Sequence, residues 1–253
     1  MAEEFNAYES PQARDASHDA PMPGQRDAMR PFLPIGGRAK LVVVLLSLSM
    51  LLDIVSMFSN SMEIDLIKRM QSDAVAEPNQ EDIDANDARQ AIVAFTGLGV
   101  YLATVIAFCL WIYRAHANLP ALGAMQLKYS PGWAVGSFFV PILNLFRPYQ
   151  IAKEIDLHSD PSSTPASSPL IGLWWAAFLI ANFAGQAAGR MTLRANTPFE
   201  IISADYVQIG SSATSVLAAI LAILVVHRIS RNQETLFSLW KTQEDNPTTP
   251  AQA

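Results

Sequence analysis

Apolar residues in this chain come in unbroken blocks rather than at the spacing of a soluble amphipathic helix or the alternation of a strand. Between Lys40 and Glu63 the only charge is Asp53, and Ala91–Tyr113, Pro169–Ala188 and Tyr206–Val226 carry none. At about 1.5 Å per residue, each run is long enough to cross roughly 30 Å of hydrocarbon. The pattern predicts an all-α fold: a four-helix transmembrane bundle with spans at about 41–62, 91–113, 169–188 and 206–227.

A fifth uncharged stretch, Tyr129–Phe146, is also long enough to cross. The distribution of charge decides against it. With four crossings, 12 Lys and Arg fall on the side of the termini and 5 opposite; with five crossings the division is 9 to 8. Only the first obeys the positive-inside bias, which places both termini in the cytoplasm. Pro131 and Pro141 also divide the stretch into pieces too short to span as helix.

Residues 129–157 are therefore expected to form a re-entrant or interfacial element on the cytoplasmic side, broken at Pro141. Pro148, Ile151, Ala152 and Ile155 follow i, i+3, i+4, i+7, with Gln150, Lys153 and Glu154 on the other face. That spacing predicts an amphipathic helix along the interface, with Trp133 and Tyr149 in the boundary zone. The Ser- and Pro-rich run 160–168 reads as a linker. The last helix is expected to continue past His227 with Ile229, Leu236, Leu239 and Trp240 on one apolar face.

The membrane domain spans 37–241. Residues 1–36 and 242–253 are polar and lack hydrophobic periodicity, so both read as disordered cytoplasmic tails. The long polar start does not match a signal peptide, which makes the first span a retained anchor. Composition changes the picture little: 51% of residues are hydrophobic and the net charge is −6, giving no basic surface for nucleic acid. The lone cysteine, Cys109, has no partner for an intrachain disulfide.

One stretch carries a specific pattern: Trp111-Ile-Tyr113-Arg114-Ala115, Asn118-Leu119, Leu122-Gly123-Ala124, Tyr129-Ser130-Pro131-Gly132-Trp133, Phe139-Val140-Pro141, Asn144-Leu145 and Arg147-Pro148-Tyr149-Gln150. It closely resembles the signature of a bacterial membrane family catalogued as domain of unknown function 4328. The resemblance implies a multi-pass protein of a bacterial cytoplasmic membrane and no assigned reaction. It departs at Asp156, where the family pattern has a tryptophan after Lys-Glu-Ile.

Asp53 is the one ionisable group inside a span, and such groups are candidates for proton, ion or substrate handling. Counting inward from Leu41 and Leu170 puts Asp53 and Asn182 at a common depth of about 18 Å. Tyr101, Thr214 and Ser215 fall near that level on the other spans. The set reads either as interhelical hydrogen-bond glue or as a ligand site. In both cases Asp53 is expected to face inward, within reach of Asn182 or a hydroxyl of the fourth span. Arg114, Asn118, Asn144 and Arg147 form a second candidate, a cytoplasmic-face pocket for a lipid headgroup or another anion. For Arg114 the alternative is plain positive-inside anchoring.

Asp82-Ile-Asp84-Ala-Asn86 opens like a calcium loop, but its sixth position is Asp87 and its twelfth Val93, so it reads as an acidic linker capping the second span. No metal-ligand spacing, nucleophile elbow or phosphate-binding loop is present, so no cofactor and no enzymatic activity are expected. Small residues recur every fourth position at Ala177, Ala181, Gly185 and Gly189, and at Gly210, Thr214, Ala218 and Ala222, making faces for close helix packing or for a homo-oligomer contact. The reading that follows is a membrane-embedded interaction or regulatory subunit with a cytoplasmic platform, whose partners are membrane lipids and a protein or second copy. The alternative is a small transporter or channel subunit using the Asp53 level.

Overall fold

The computed structural model describes residues 31–72, 80–162 and 164–245. Both expected tails lie mostly outside them. Four helices are long and apolar enough to cross a membrane: α1 (Gly36–Ser72), α2 (Gln80–Ala117), α5 (Pro169–Thr192) and α6 (Pro198–Asp245). Between the second and third of these lie two short ones, α3 (Pro131–Gly136) and α4 (Arg147–His158). No strand occurs among the described residues.

The helices outrun the expected spans. A polar residue costs a helix little once it leaves hydrocarbon, so the apolar blocks mark where a span must be, not where its helix stops. The supposed calcium-like linker is thus the first two turns of α2. Asp84 accepts from Gln80 and Asn86 donates to Glu63 of α1 at 3.0 Å, so neither caps the helix at residue 91.

In cross-section α1 packs between α2 and α6, and α6 between α1 and α5. The outward faces are apolar: Leu41, Leu51, Phe58, Phe95, Ile106, Ile180 and Leu217 are all exposed. Small residues bring α5 and α6 together through Ala177, Ala181 and Ala218. At Gly185 an added Cβ would sit 3.5 Å from the Ser211 hydroxyl. Gly210 faces outward, so only part of the fourfold stripe builds this contact.

We call the end where α1 begins and α2 finishes proximal, and the other distal. At the proximal end the 129–146 segment fills the gap between α2 and α5. Phe138 packs edge-on against Phe108 of α2 and Trp175 of α5, with centroids at 6.0 and 6.2 Å. Trp175 Nε1 donates to the Leu145 carbonyl at 3.0 Å. Phe108 lies nine residues before the end of α2, so the segment reaches about 13 Å into the bundle.

The expected break is present. α3 ends at Gly136, and the chain turns through Pro141, where the Leu143 amide donates to the Pro141 carbonyl at 2.8 Å. This tight turn puts Ile142 at φ 69°, a strained backbone for a β-branched residue. The tip is apolar, with Phe139, Ile142 and Phe146 uncovered.

Gly123 also has positive φ, 87°, and an added Cβ would lie 2.7 Å from the Trp240 ring. The turn after α2 therefore requires glycine, for its backbone and for the close approach of α6. Gly123→Ala is expected to cost about 1–2 kcal/mol, the left-handed penalty of an L-residue, and to displace Trp240. Thermal unfolding in detergent, followed by tryptophan emission, checks this; an unchanged midpoint contradicts it.

Candidate functional site

The proximal end is held by buried polar side chains that converge from five segments. Gln233, fully buried on α6, donates from Nε2 to the Ala115 carbonyl of α2 at 2.8 Å and to Ser159 Oγ, just past α4, at 3.1 Å. Its Oε1 accepts from Asn118 Nδ2 at 3.4 Å. Asn118 in turn grips the start of the described chain. It donates to the Leu33 carbonyl at 2.9 Å and accepts from the Leu33 amide at 3.2 Å. One turn deeper, Trp111 Nε1 donates to Ser230 Oγ at 2.9 Å.

A second group anchors α4. Asp156, with no exposed surface, accepts from Arg228 Nε of α6 at 2.8 Å and from the Ser168 amide at 2.6 Å. Here the chain departs from the tryptophan of the resembled pattern, and the carboxylate takes that buried place by pairing with Arg228. On the next face Glu154 accepts from the Lys128 amide at 2.6 Å and lies 3.3 Å from His116 Nε2. Tyr129 donates to Gln150 and lies under the Arg147 guanidinium, 5.3 Å from the ring centroid.

The run 160–168 is more than a spacer. Asp160 accepts from the Ser162 and Ala166 amides at 3.1 and 3.2 Å. Desolvation pushes its carboxyl up, but these donors outweigh that and hold it below the ordinary aspartate value.

The expected membrane-level cluster does not assemble into one hydrogen-bonded set. Asp53 is half-buried on the α1 stripe that also carries Ser49 and Asn60, and it makes no hydrogen bond to Asn182. Asn182 donates to the Phe178 carbonyl of its own helix at 2.8 Å, and Thr214 to the Ser211 carbonyl of its own. Tyr101 is 56% exposed on the outer surface, and Ser215 is half-buried. A depth counted from the span starts does not fix which way a helix turns each side chain. The polar bridge that does link spans lies a turn closer to the proximal end, Ser49 Oγ to Thr104 Oγ1 at 3.2 Å.

The second expected set separates as well. Asn118 is spent on Leu33 and Gln233, Arg147 covers Tyr129, and Asn144 sits half-buried in the turn before α4. Arg114 lies one turn past Leu110, whose carbonyl accepts from Arg38 of α1. None of the four hydrogen-bonds another.

Sequence reasoning missed Gln233, Ser230, Ser159 and Asp156. A signal for the first two existed: Val226, Ile229, Ser230 and Gln233 continue one helical face. On that helix Leu239 was expected on the same apolar face as Ile229, and it is 50% exposed.

At the distal end, α1 and α2 are joined by Ser59, Asn60 and Glu63 facing Asn86, Arg89 and Gln90. No group of three or more metal-ligating side chains occurs among the described residues.

The family model described as Domain of unknown function (DUF4328) matches residues 75–231, which take in α2 through most of α6 and leave out α1. No curated protein and no solved structure shows a significant match.

Removing the Asp156 carboxylate leaves Arg228 and the Ser168 amide without their acceptor. Because Arg228 is a third exposed and can be hydrated, Asp156→Ala is expected to cost about 2–3 kcal/mol, and Asp156→Asn less. Denaturant unfolding in micelles measures both; equal stability of Asp156→Ala and the parent would contradict the anchoring role.

Proposed function

Because the chain belongs to this family of unassigned activity, we propose a role from its geometry: a non-enzymatic interaction or regulatory subunit embedded in a bacterial cytoplasmic membrane. The proximal end and both termini lie in the cytoplasm, in keeping with the excess of Lys and Arg on that side. A protein partner or a second copy docks there.

One observation carries this reading. The proximal segments are locked to the helices by a buried polar network, so they form a fixed surface rather than loose loops. α6 has 48 residues, about 72 Å, more than twice the hydrocarbon thickness, so it runs well beyond the hydrocarbon. Leu33, Phe237 and Leu239 stay uncovered there.

The 129–146 segment serves as a re-entrant plug. Irregular backbone at membrane depth needs protein around it, and the aromatic rings of α2 and α5 supply that cover. Its apolar tip, Phe139, Ile142 and Phe146, meets lipid.

A transport role at Asp53 has less behind it. Its proposed partners bond within their own helices, and two shallow clefts lie at the ends, one around Leu224, Arg228 and Arg231 and one around Asp65–Ser72.

Single cysteines test the reading in a Cys109→Ala background, replacing Gln80, Lys153 and Leu239, all exposed. On intact cells an impermeant maleimide is expected to label Gln80→Cys alone. A benzophenone maleimide on inverted vesicles is expected to give an adduct of one defined mass from Leu239→Cys. Labelling of Lys153→Cys on intact cells would reverse the orientation. Absence of any adduct from both Lys153→Cys and Leu239→Cys would overturn the docking role.

A further inference from the structure

We propose that one anionic phospholipid is held at the proximal end of the α1–α2 seam, its phosphate between the guanidinium groups of Arg38 and Arg114. This rests on the membrane embedding but not on the docking role, and it holds whichever side the proximal end faces.

Both arginines lie within about a turn of their helix ends. Arg38 Nη1 donates to the Leu110 carbonyl at 3.2 Å. Leu110 is one turn before Arg114, so the two guanidinium groups meet on one side of the seam. Their charges repel each other.

Among the described residues no carboxylate forms an ion pair with either arginine. The ion pairs among the described residues are His116 with Glu154 and Arg228 with Asp156. Arg114 Nε is shut off from the surface and has no hydrogen-bond partner among the described residues. A buried N–H of a cation without an acceptor is costly, and two like charges at a lipid boundary make it more so. An anion seated between the two guanidinium groups offsets the like-charge repulsion.

The chemistry selects a phosphate, because the planar fork of donors on each guanidinium matches two phosphate oxygens. The surroundings select a lipid. Ile106, Leu110 and Leu41 are exposed on the same seam, further into the apolar band, where acyl chains below a bound headgroup would lie.

The sequence-based pocket placed Arg114 with Asn118, Asn144 and Arg147; the structure supplies Arg38 in their place. Simple positive-inside anchoring needs only charge at this end, whereas a phosphate clamp needs these two side chains and their geometry.

Native mass spectrometry of the full chain in detergent separates the two. Dioleoyl phosphatidylglycerol, dioleoyl phosphatidylcholine and inorganic phosphate are added in turn. The wild type is expected to retain one phosphatidylglycerol at activation energies that strip phosphatidylcholine, and added phosphate should not displace it. Arg114→Gln and Arg38→Gln should each weaken retention at least about tenfold, the loss of one charge-assisted contact. Arg114→Lys, which keeps the charge and loses the fork, should weaken it too. Arg231→Gln removes equal charge from α6 and should leave it unchanged.

Equal retention of the two lipids by the wild type would overturn the proposal, whether or not the variants fold. So would an Arg114→Lys variant that binds like wild type, or an Arg231→Gln variant that loses as much as Arg114→Gln. Displacement by phosphate would replace the lipid with a free anion and overturn it equally.

Discussion

A side-chain amide buried without exposure must satisfy its donors and acceptor inside the protein, and Gln233 does so by reaching three other residues at once. Its position on α6 therefore fixes the end of α2, the end of α4 and, through Asn118, the chain leading into α1. Apolar packing between membrane helices is weakly directional, since lipid tails are as apolar as the side chains they replace. The polar network supplies the register that packing alone does not. The aromatic group of Phe108, Phe138, Trp174 and Trp175 lies directly below it and closes the gap between α2 and α5.

The two ends of the bundle use polar chemistry differently. At the distal end the side-chain bonds join pairs of helices, as with Asn86 of α2 to Glu63 and Lys68 of α1 to Tyr206 of α6. At the proximal end the bonds cross several seams and tie in backbone that is neither helix nor strand. Buried broken backbone carries amides and carbonyls that need partners, so the density of side-chain donors there is a requirement of the 118–168 segment. Asp156 shows the cost of meeting it: a carboxylate can be fully buried only because Arg228 and the Ser168 amide both face it.

Much of the architecture was legible from residue pattern alone. Uncharged blocks located all four long helices, and the break at Pro141 was visible as proline within an otherwise uncharged run. Helix ends were not legible, because residues outside hydrocarbon obey ordinary helix rules that apolar counting ignores. The polar contacts were legible only in part. Approximate depth along a helix follows from counting, on which Asp53 and Asn182 were expected to be level. Rotation about the axis does not, because it depends on which neighbour each helix packs against, and Asn182 turned to its own backbone. Gln233 was passed over because it sits among polar neighbours, Arg231 and Asn232, that mark a solvated stretch by composition while its helical face marks it as buried.

The central claim is that the proximal end behaves as one cooperative unit organised by Gln233. Hydrogen–deuterium exchange of the full chain in lipid nanodiscs tests it most directly, comparing the wild type with Gln233→Leu, which keeps the volume and removes the amide. The account predicts that the backbone amides around Leu33, at 118–124 and along α4 lose protection together, by similar factors, while the distal contacts of α1 and α2 keep theirs. Loss confined to the last turns of α6, or no loss at all in α4 and the 118–124 turn, would contradict it.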